Sequence, residues 1–206
     1  PTAPRTTREY LALCAALEAE SVSAFEELGA ALRAHAAPGY LLRWTRRAAG
    51  DERRHTRMTL RLLGRPSVAP SAPQAAELPT LEQLAHHNAR EGLAREALGA
   101  ALAHLVARRA QRASVRSTYR SIAREETNHA ELSLALHRWL MSRLEPEARA
   151  RLERTRRDAL SELMSAPPCA PPAAQRDLGL PGEEGLRAMI AHLDGALALV
   201  CTPLAA

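Results

Sequence analysis

The sequence predicts an all-α protein built around a four-helix bundle. Aromatic residues make up only 3% of the chain, and no run rich in valine, isoleucine and tyrosine suggests a strand. Four long segments instead carry apolar or small residues at alternating steps of three and four, the pattern of a helix with one buried face. The 206 residues are enough for one domain with a sizeable core.

The four predicted helices follow from where this periodicity begins and ends. They cover residues 6–36, 39–63, 80–109 and 113–143. The turn Ala37-Pro38-Gly39 is short, so the first two helices should be antiparallel neighbours. Residues 64–79 are rich in proline, cannot be helical throughout, and are long enough to cross from helix two to helix three.

The rest of the chain predicts additions to this bundle core of residues 6–143. A helical extension should cover residues 146–164, followed by a second proline-rich loop at 165–181. Residues 182–200 predict a final amphipathic helix that packs on the outside of the bundle. We therefore expect a single domain over residues 1–206.

Two short runs in the chain share one chemistry. Glu52-Arg53-Arg54-His55 and Glu126-Thr127-Asn128-His129 are both Glu-x-x-His sequences. Each follows a further carboxylate, since Glu18 lies 34 residues before the first run and Glu91 lies 35 residues before the second. A glutamate and a histidine three apart on a helix point the same way, so each run can present two metal-binding side chains together.

Each of these carboxylates lies near the middle of a predicted apolar seam. A buried ionised carboxylate without a partner is costly, and four at a similar depth would repel one another. A pair of divalent cations is the simplest compensation. Two Glu-x-x-His pairs and two single carboxylates, all turned inward in a four-helix bundle, form a binuclear metal site. The predicted metal ligands are Glu18, Glu52, His55, Glu91, Glu126 and His129.

Three neighbouring acidic residues fit the seams less well. Glu20 lies two residues from Glu18, which is about 200° round a helix, so it leaves the seam. Asp51 and Glu125 are each one step away from the glutamate of a Glu-x-x-His run. We expect all three to lie outside the metal site.

The sequence leaves the roles of four further side chains open. Cys14, one turn before Glu18, is either a thiol near the metals or a small buried apolar residue. His87 on helix three is either an extra donor or a core histidine. Tyr119 is either an electron donor or a core residue. Glu96 should flank its seam, and the alternative is that it positions the ligands without binding a metal.

Charge and cysteine content exclude several classes of protein. All 28 basic residues are arginine and the net charge is +5, which a mixed-charge surface explains more simply than an anionic partner. No nucleic-acid motif is present, and no apolar run approaches the roughly 20 residues of a membrane span. The three cysteines show neither CxxC spacing nor a pattern that suggests paired disulfides.

We expect a cytoplasmic bacterial protein, and the start at Pro1 without Met fits a truncated or processed N-terminus.

The motif set resembles the ferritin-like superfamily of di-iron carboxylate proteins over about residues 6–143. The run from Glu18 to Phe25 is also similar to the first helix of bacterial ferritin-like domain proteins, with Glu20 in place of a usual small residue. The resemblance implies a ferritin-like antiparallel four-helix bundle with a long crossover after helix two and an additional C-terminal helix.

The resemblance also implies a role for each ligand. Glu52 and Glu126 would bridge two metal ions, and Glu18 and Glu91 would be terminal ligands, one for each metal. The two histidines of the Glu-x-x-His runs, His55 and His129, would each give one nitrogen. The implied cofactor is two metal ions, iron first, with manganese or a mixed iron and manganese pair as alternatives.

The activity implied by the resemblance is that of an oxidoreductase. A di-iron centre would activate dioxygen or peroxide, with a small-molecule substrate as a further partner. The alternatives are an iron-handling ferroxidase or storage protein, and a metal-stabilised scaffold without catalysis. Neither a nucleic acid nor a membrane is an expected partner, and a homodimer remains open.

Overall fold

A computed structural model describes residues 3–64 and 77–201, and every regular element among these residues is helical. The all-α class is therefore confirmed. The helices are α1 (Thr7–Ala34), α2 (Gly39–Leu63), α3 (Leu81–His87), a π-helical segment (Asn88–Glu96), α4 (Ala97–Arg109), α5 (Ala113–Met141), α6 (Pro146–Ser165), α7 (Pro172–Leu178) and α8 (Glu183–Cys201). Within the described ranges, no helix combines the length and apolar character that crossing a bilayer requires.

Local sequence explains where these helices begin and end. The Thr6 side chain accepts a hydrogen bond from the Glu9 backbone N–H, and the Glu9 carboxylate accepts one from the Thr6 backbone N–H. This capping box starts α1, and Thr80 with Gln83 forms the same arrangement before α3. At the other end of α2, Gly64 adopts a φ of 63°, a left-handed conformation that glycine adopts without strain.

Two of the predicted connections have different outcomes. The predicted crossover after helix two falls largely on residues 65–76, outside the described residues. The predicted loop at residues 165–181 is wrong in part, because α7 forms within it. Proline is tolerated in the first turn of a helix, so Pro172 starts α7 and does not prevent it. Ala174 and Leu178 then bury one face of this short helix.

The chain divides into two compact units. The first unit is Pro1–Leu78, Ala101–Glu125 and Ala170–Leu180. In its described part α1 packs along α2 and also contacts α7. Its core is an apolar cluster that includes Leu11, Leu63 and Ile122, and Tyr119 lies in this cluster. Tyr119 is therefore a core residue of the first unit.

The second unit is Pro79–Ala100, Glu126–Cys169 and Pro181–Ala206. In its described part α6 packs against the π-helical segment, α3 and α8. The buried Arg156 on α6 donates to Glu153 on its own helix and, at 3.0 Å, to Asp194 on α8. This ion pair joins α6 to the last helix. The prediction of one domain over residues 1–206 stays a prediction.

The π-helical segment interrupts what the sequence predicts as one regular helix over residues 80–109. Hydrogen bonds of the i→i+5 type add a residue to each turn, so side chains beyond the segment are rotated from their α-helical positions. Gly92 lets this segment approach α5 closely. A Cβ on Gly92 would lie 2.5 Å from the Ser133 side-chain oxygen and 2.5 Å from the Asn88 side-chain oxygen.

Candidate metal centre

Helices α1 and α2 bring together the first group of metal-binding side chains. Glu18, Glu52 and His55, here called the first triad, each offer a ligand atom, and these atoms lie within 4.8 Å of one another. Nδ1 of His55 is 3.3 Å from a Glu18 carboxylate oxygen and 3.7 Å from a Glu52 carboxylate oxygen. His55 and Glu52 are buried, and Glu18 is 20% exposed. These three residues are among the predicted ligands, and the structure brings them together.

A second group of the same composition lies in the second unit. Glu96, Glu126 and His129, here called the second triad, also place ligand atoms within 4.8 Å of one another. Nδ1 of His129 is 3.6 Å from a Glu126 oxygen and 3.8 Å from a Glu96 oxygen. Glu126 and His129 are buried, while Glu96 is 23% exposed. Both triads therefore contain a Glu-x-x-His pair and one glutamate from another helical segment.

The spacing of these atoms fits a shared cation. Two donors that each lie about 2.1 Å from one ion are about 3 Å apart at a right angle and about 4.2 Å apart on opposite sides. The four histidine-to-carboxylate distances of the two triads, 3.3 to 3.8 Å, fall in this interval. Imidazole and carboxylate are ligand types that suit iron and manganese. Each group could therefore hold a metal ion, and whether it does so stays a prediction.

The other ring nitrogen of His55 has a partner that the sequence pattern excludes. Nε2 of His55 is 2.8 Å from a carboxylate oxygen of Glu125. Nδ1 of the same ring faces a Glu18 oxygen at 3.3 Å, so a ring that carries both protons donates to a carboxylate from each nitrogen. A cation bound at Nδ1 would replace the proton there and leave the single N–H at Nε2, where it donates to Glu125. Glu125 thus holds His55 in the tautomer that metal binding requires.

Arg54 in turn fixes Glu125. Its guanidinium lies 2.8 Å from one Glu125 oxygen and 3.3 Å from the other, and it also donates to Asp51. The hydrogen bond to Glu125 is the main cause that raises the pKa of Arg54. Asp51 and Glu125 are both buried. Neither residue belongs to a triad, but Glu125 contacts the first triad through His55, because a residue one step off a seam can still face a neighbouring helix.

Glu91 does not reach either triad, and its predicted place in the seam is wrong. Its side chain is 48% exposed and pairs with Arg95 at 3.3 Å. The position expected for Glu91 is taken by Glu96, which was predicted to flank the seam. The π-helical segment explains why Glu96 and not Glu91 faces the triad. The sequence analysis assumed the α-helical number of residues per turn, and a π-helical turn contains about one residue more. His87, also placed on this seam by the sequence, is exposed.

The remaining predicted neighbours of the site have clear positions. Glu20 is exposed, as its phase on the helix predicts. Cys14 is partly buried, and burial, followed by the negative charge of Glu18, raises the pKa of its thiol to about 12. A thiol with that pKa is protonated at neutral pH. Cys14 therefore has the character of a small apolar residue beside Glu18.

One signal in the sequence could have identified the missed residues. Each Glu-x-x-His run is preceded directly by a second acidic residue, Asp51 in the first case and Glu125 in the second. An acidic pair repeated at both motifs indicates a function for both members. Glu96 carries no such signal, because α-helical periodicity cannot anticipate a π-helical turn.

The comparison of this chain with protein-family models, curated proteins and solved structures found no match. What the protein does is therefore inferred from the side chains of the two triads.

Proposed function

We propose that this protein is a binuclear non-haem metal oxidoreductase that activates dioxygen or peroxide. The observation that supports the proposal is the repeated geometry of the two triads, in which a histidine Nδ1 lies 3.3 to 3.8 Å from two carboxylates. Iron is the first choice of metal, with manganese or a mixed pair as alternatives. The ferritin-like bundle is proposed on the same ligand pattern.

In this proposal each triad holds one metal ion. Glu18 and His55 would bind the first metal, and Glu96 and His129 would bind the second. Glu52 would complete the ligand set of the first triad, and Glu126 would complete that of the second. Bound iron would supply the electrons that reduce dioxygen or peroxide.

The chain's own residues have three tasks in this proposal. The two histidines and the inward-facing carboxylates bind the metals. Glu125 orients His55 through the 2.8 Å contact at Nε2, and Arg54 holds Glu125 in place. Burial of Glu52, His55, Glu126 and His129 restricts water around the ligands.

Loading the metal-free protein with ferrous iron under anaerobic conditions tests the proposal. We expect two iron ions per chain, and oxidation with consumption of dioxygen when air is admitted. The variants Glu52→Ala and Glu126→Ala should lose this loading, whereas Glu20→Ala should retain it because Glu20 is exposed.

Other outcomes of the same experiment would contradict the proposal. Two bound irons that do not react with dioxygen would indicate a metal-stabilised scaffold. Uptake of many irons per chain by a large cage would indicate storage. Failure of the wild-type protein to bind iron or manganese would exclude the metal centre itself.

A further inference from the structure

Helix α2 exposes its arginines and buries its acidic residues. Seven of its 25 residues are arginine, and its two acidic residues, Asp51 and Glu52, are buried. One of the arginines, Arg54, pairs with the buried Asp51 and Glu125. The other six, here called the arginine face, are exposed: Arg43, Arg46, Arg47, Arg53, Arg57 and Arg61.

The arginine face is one row along α2. Its members follow one another at steps of one, three or four residues, except across Gly50, and at about 100° per residue they lie within about 120° of the helix circumference. From Arg43 to Arg61 the row is about 27 Å long, because each residue of a helix adds about 1.5 Å. A Cβ on Gly50 would meet nothing within 4 Å, so no described side chain covers the middle of the row.

Little negative charge offsets this row. Arg53 pairs with Glu26 of α1, and Arg47 lies 3.9 Å from the buried Asp51. The four arginines that form no ion pair with any described residue are Arg43, Arg46, Arg57 and Arg61. The net charge of +5 conceals this local excess, because it sums the arginines of α2 with acidic residues on other helices. The mixed-charge surface expected from the sequence therefore does not describe α2.

The chemistry and shape of the arginine face fit a linear chain of phosphates. A guanidinium group can form two parallel hydrogen bonds to one phosphate, which suits arginine to phosphate recognition. Arginines clustered along a helix are the electrostatic pattern of nucleic-acid binding. A lipid surface fits less well, because interfacial helices bury their apolar side in lipid, and here Leu41, Leu60 and Leu63 of α2 are buried in the protein.

The other side chains of α2 indicate which form of nucleic acid it suits. Tyr40 is the one exposed aromatic residue of this helix, whereas binding to single strands uses several aromatic residues that stack on unpaired bases. The helix contains neither asparagine nor glutamine, the side chains that pair with adenine in the major groove. Contacts to the phosphates of a duplex therefore account for the face better than contacts to bases.

We propose that the arginine face binds the phosphate backbone of double-stranded DNA without sequence preference. This inference replaces the sequence-based expectation that no nucleic acid is a partner. It does not depend on the metal centre, since the six arginines are not members of either triad.

Fluorescence anisotropy of a labelled duplex with the metal-free protein measures this binding. A duplex of about 20 base pairs, at about 3.4 Å each, is longer than the arginine row. We expect the logarithm of the association constant to fall with the logarithm of the salt concentration at a slope of about −4, because each of about four or five neutralised phosphates contributes about −0.9. A second duplex of different sequence should bind equally.

A triple variant, Arg43→Gln with Arg57→Gln and Arg61→Gln, removes half of the row. These three arginines form no ion pair with a described residue, so the variant should fold, which circular dichroism checks. We expect the salt slope to change to about −1 and the affinity at about 50 mM salt to fall by more than about 100-fold.

The matched control removes the same charge from three other helices. It combines Arg108→Gln on α4, Arg120→Gln on α5 and Arg154→Gln on α6, all at exposed positions. This variant has the same net charge as the first triple variant, and it should retain the wild-type slope.

Gly50→Glu tests the row at its centre, and it remains informative if the triple variant does not fold. The added carboxylate has room there, and it should weaken DNA binding about 10-fold at about 50 mM salt. Gly195→Glu adds the same charge on α8, where an added Cβ also meets nothing within 4 Å, and should leave binding unchanged.

Three results would overturn the proposal. The first is the absence of saturable duplex binding by the wild type at about 50 mM salt. The second is equal weakening by the two triple variants, or by the two glutamate variants, because net charge alone would then explain the binding. The third is tighter binding to polyglutamate or to phosphatidylserine vesicles than to the duplex, which would indicate an acidic protein or a lipid surface as the partner.

Discussion

The Nε2 atom of His55 lies 2.8 Å from a carboxylate oxygen of Glu125, a residue that the seam pattern places outside the site. With a cation bound at Nδ1, Glu125 would accept the one N–H that the ring retains. It also couples the first triad to Arg54, which contacts both Glu125 oxygens. His55 is fully buried, so its orientation depends on this one partner at Nε2 and on the carboxylates that face Nδ1.

Replacing Glu125 tests the importance of that contact. Glu125→Gln retains the shape of the side chain but removes the charge that accepts from Nε2–H and from Arg54. We expect metal affinity to fall by about 10- to 100-fold, the usual effect of losing a carboxylate behind a histidine ligand. Titration of the metal-free protein with Mn²⁺, followed by calorimetry, measures the change. Glu20→Gln is the control, and equal affinities in the two variants would show that Glu125 does not orient His55.

The exchange of Glu91 for Glu96 gives a second, paired prediction. Glu96→Ala removes a carboxylate of the second triad, so the number of metal ions bound per chain should fall from two to one. Glu91→Ala removes only an exposed partner of Arg95 and should leave metal content unchanged. Elemental analysis after dialysis compares the two variants. Loss of metal in the Glu91 variant alone would restore the ligand set that the sequence predicts.

Sequence reasoning succeeds where the helices are regular. Helices α2 and α5 follow the α-helical period. Their predicted seam residues that are buried include Thr45, Glu52, His55, Glu126 and His129. Hydrophobic periodicity reports this burial directly, because one side of a regular helix packs against its neighbours. The class of fold and five of the six residues in the two triads could therefore be predicted.

The parts that could not be predicted have physical reasons. A π-helical turn depends on tertiary packing, here the close approach of Gly92 to Ser133, and leaves no periodic signature. The contact of Glu125 with His55 joins residues 70 apart in the chain. A seam analysis places such residues by phase on their own helix and cannot show which neighbouring side chain they meet.

Gly92 provides a prediction about stability. A Cβ added at this position would lie 2.5 Å from two side-chain oxygens and 2.8 Å from the Ser133 Cβ, so Ser133 or the π-helical segment must move. We expect Gly92→Ala to lower the free energy of unfolding by about 1–3 kcal/mol, the usual cost of overpacking. Urea denaturation followed by circular dichroism measures it.

Gly99 is the matched control for this substitution. It lies in the same unit on α4, where an added Cβ would meet nothing within 4 Å. Alanine is the better helix former, so Gly99→Ala should raise the free energy of unfolding by about 0.5–1 kcal/mol. Destabilisation by both substitutions, or by neither, would show that close packing at Gly92 is not what distinguishes the two sites.

The thiol of Cys14 gives a prediction about pH. Burial and then the charge of Glu18 raise its pKa from 9.0 to about 12, whereas Cys169 is exposed. Since alkylation requires the thiolate, iodoacetamide at pH 8 should modify Cys169 in the folded, metal-free protein and leave Cys14 largely unmodified. Peptide mapping by mass spectrometry measures both sites, and unfolding in urea should expose Cys14 to modification. Modification of Cys14 at the rate of Cys169 in the folded protein would show that the thiol is open to solvent.

The raised pKa of Cys14 also affects stability. The folded protein holds this proton more tightly than the unfolded chain does. The contribution of Cys14 to stability is therefore present below pH 9 and is lost as the pH rises toward about 12.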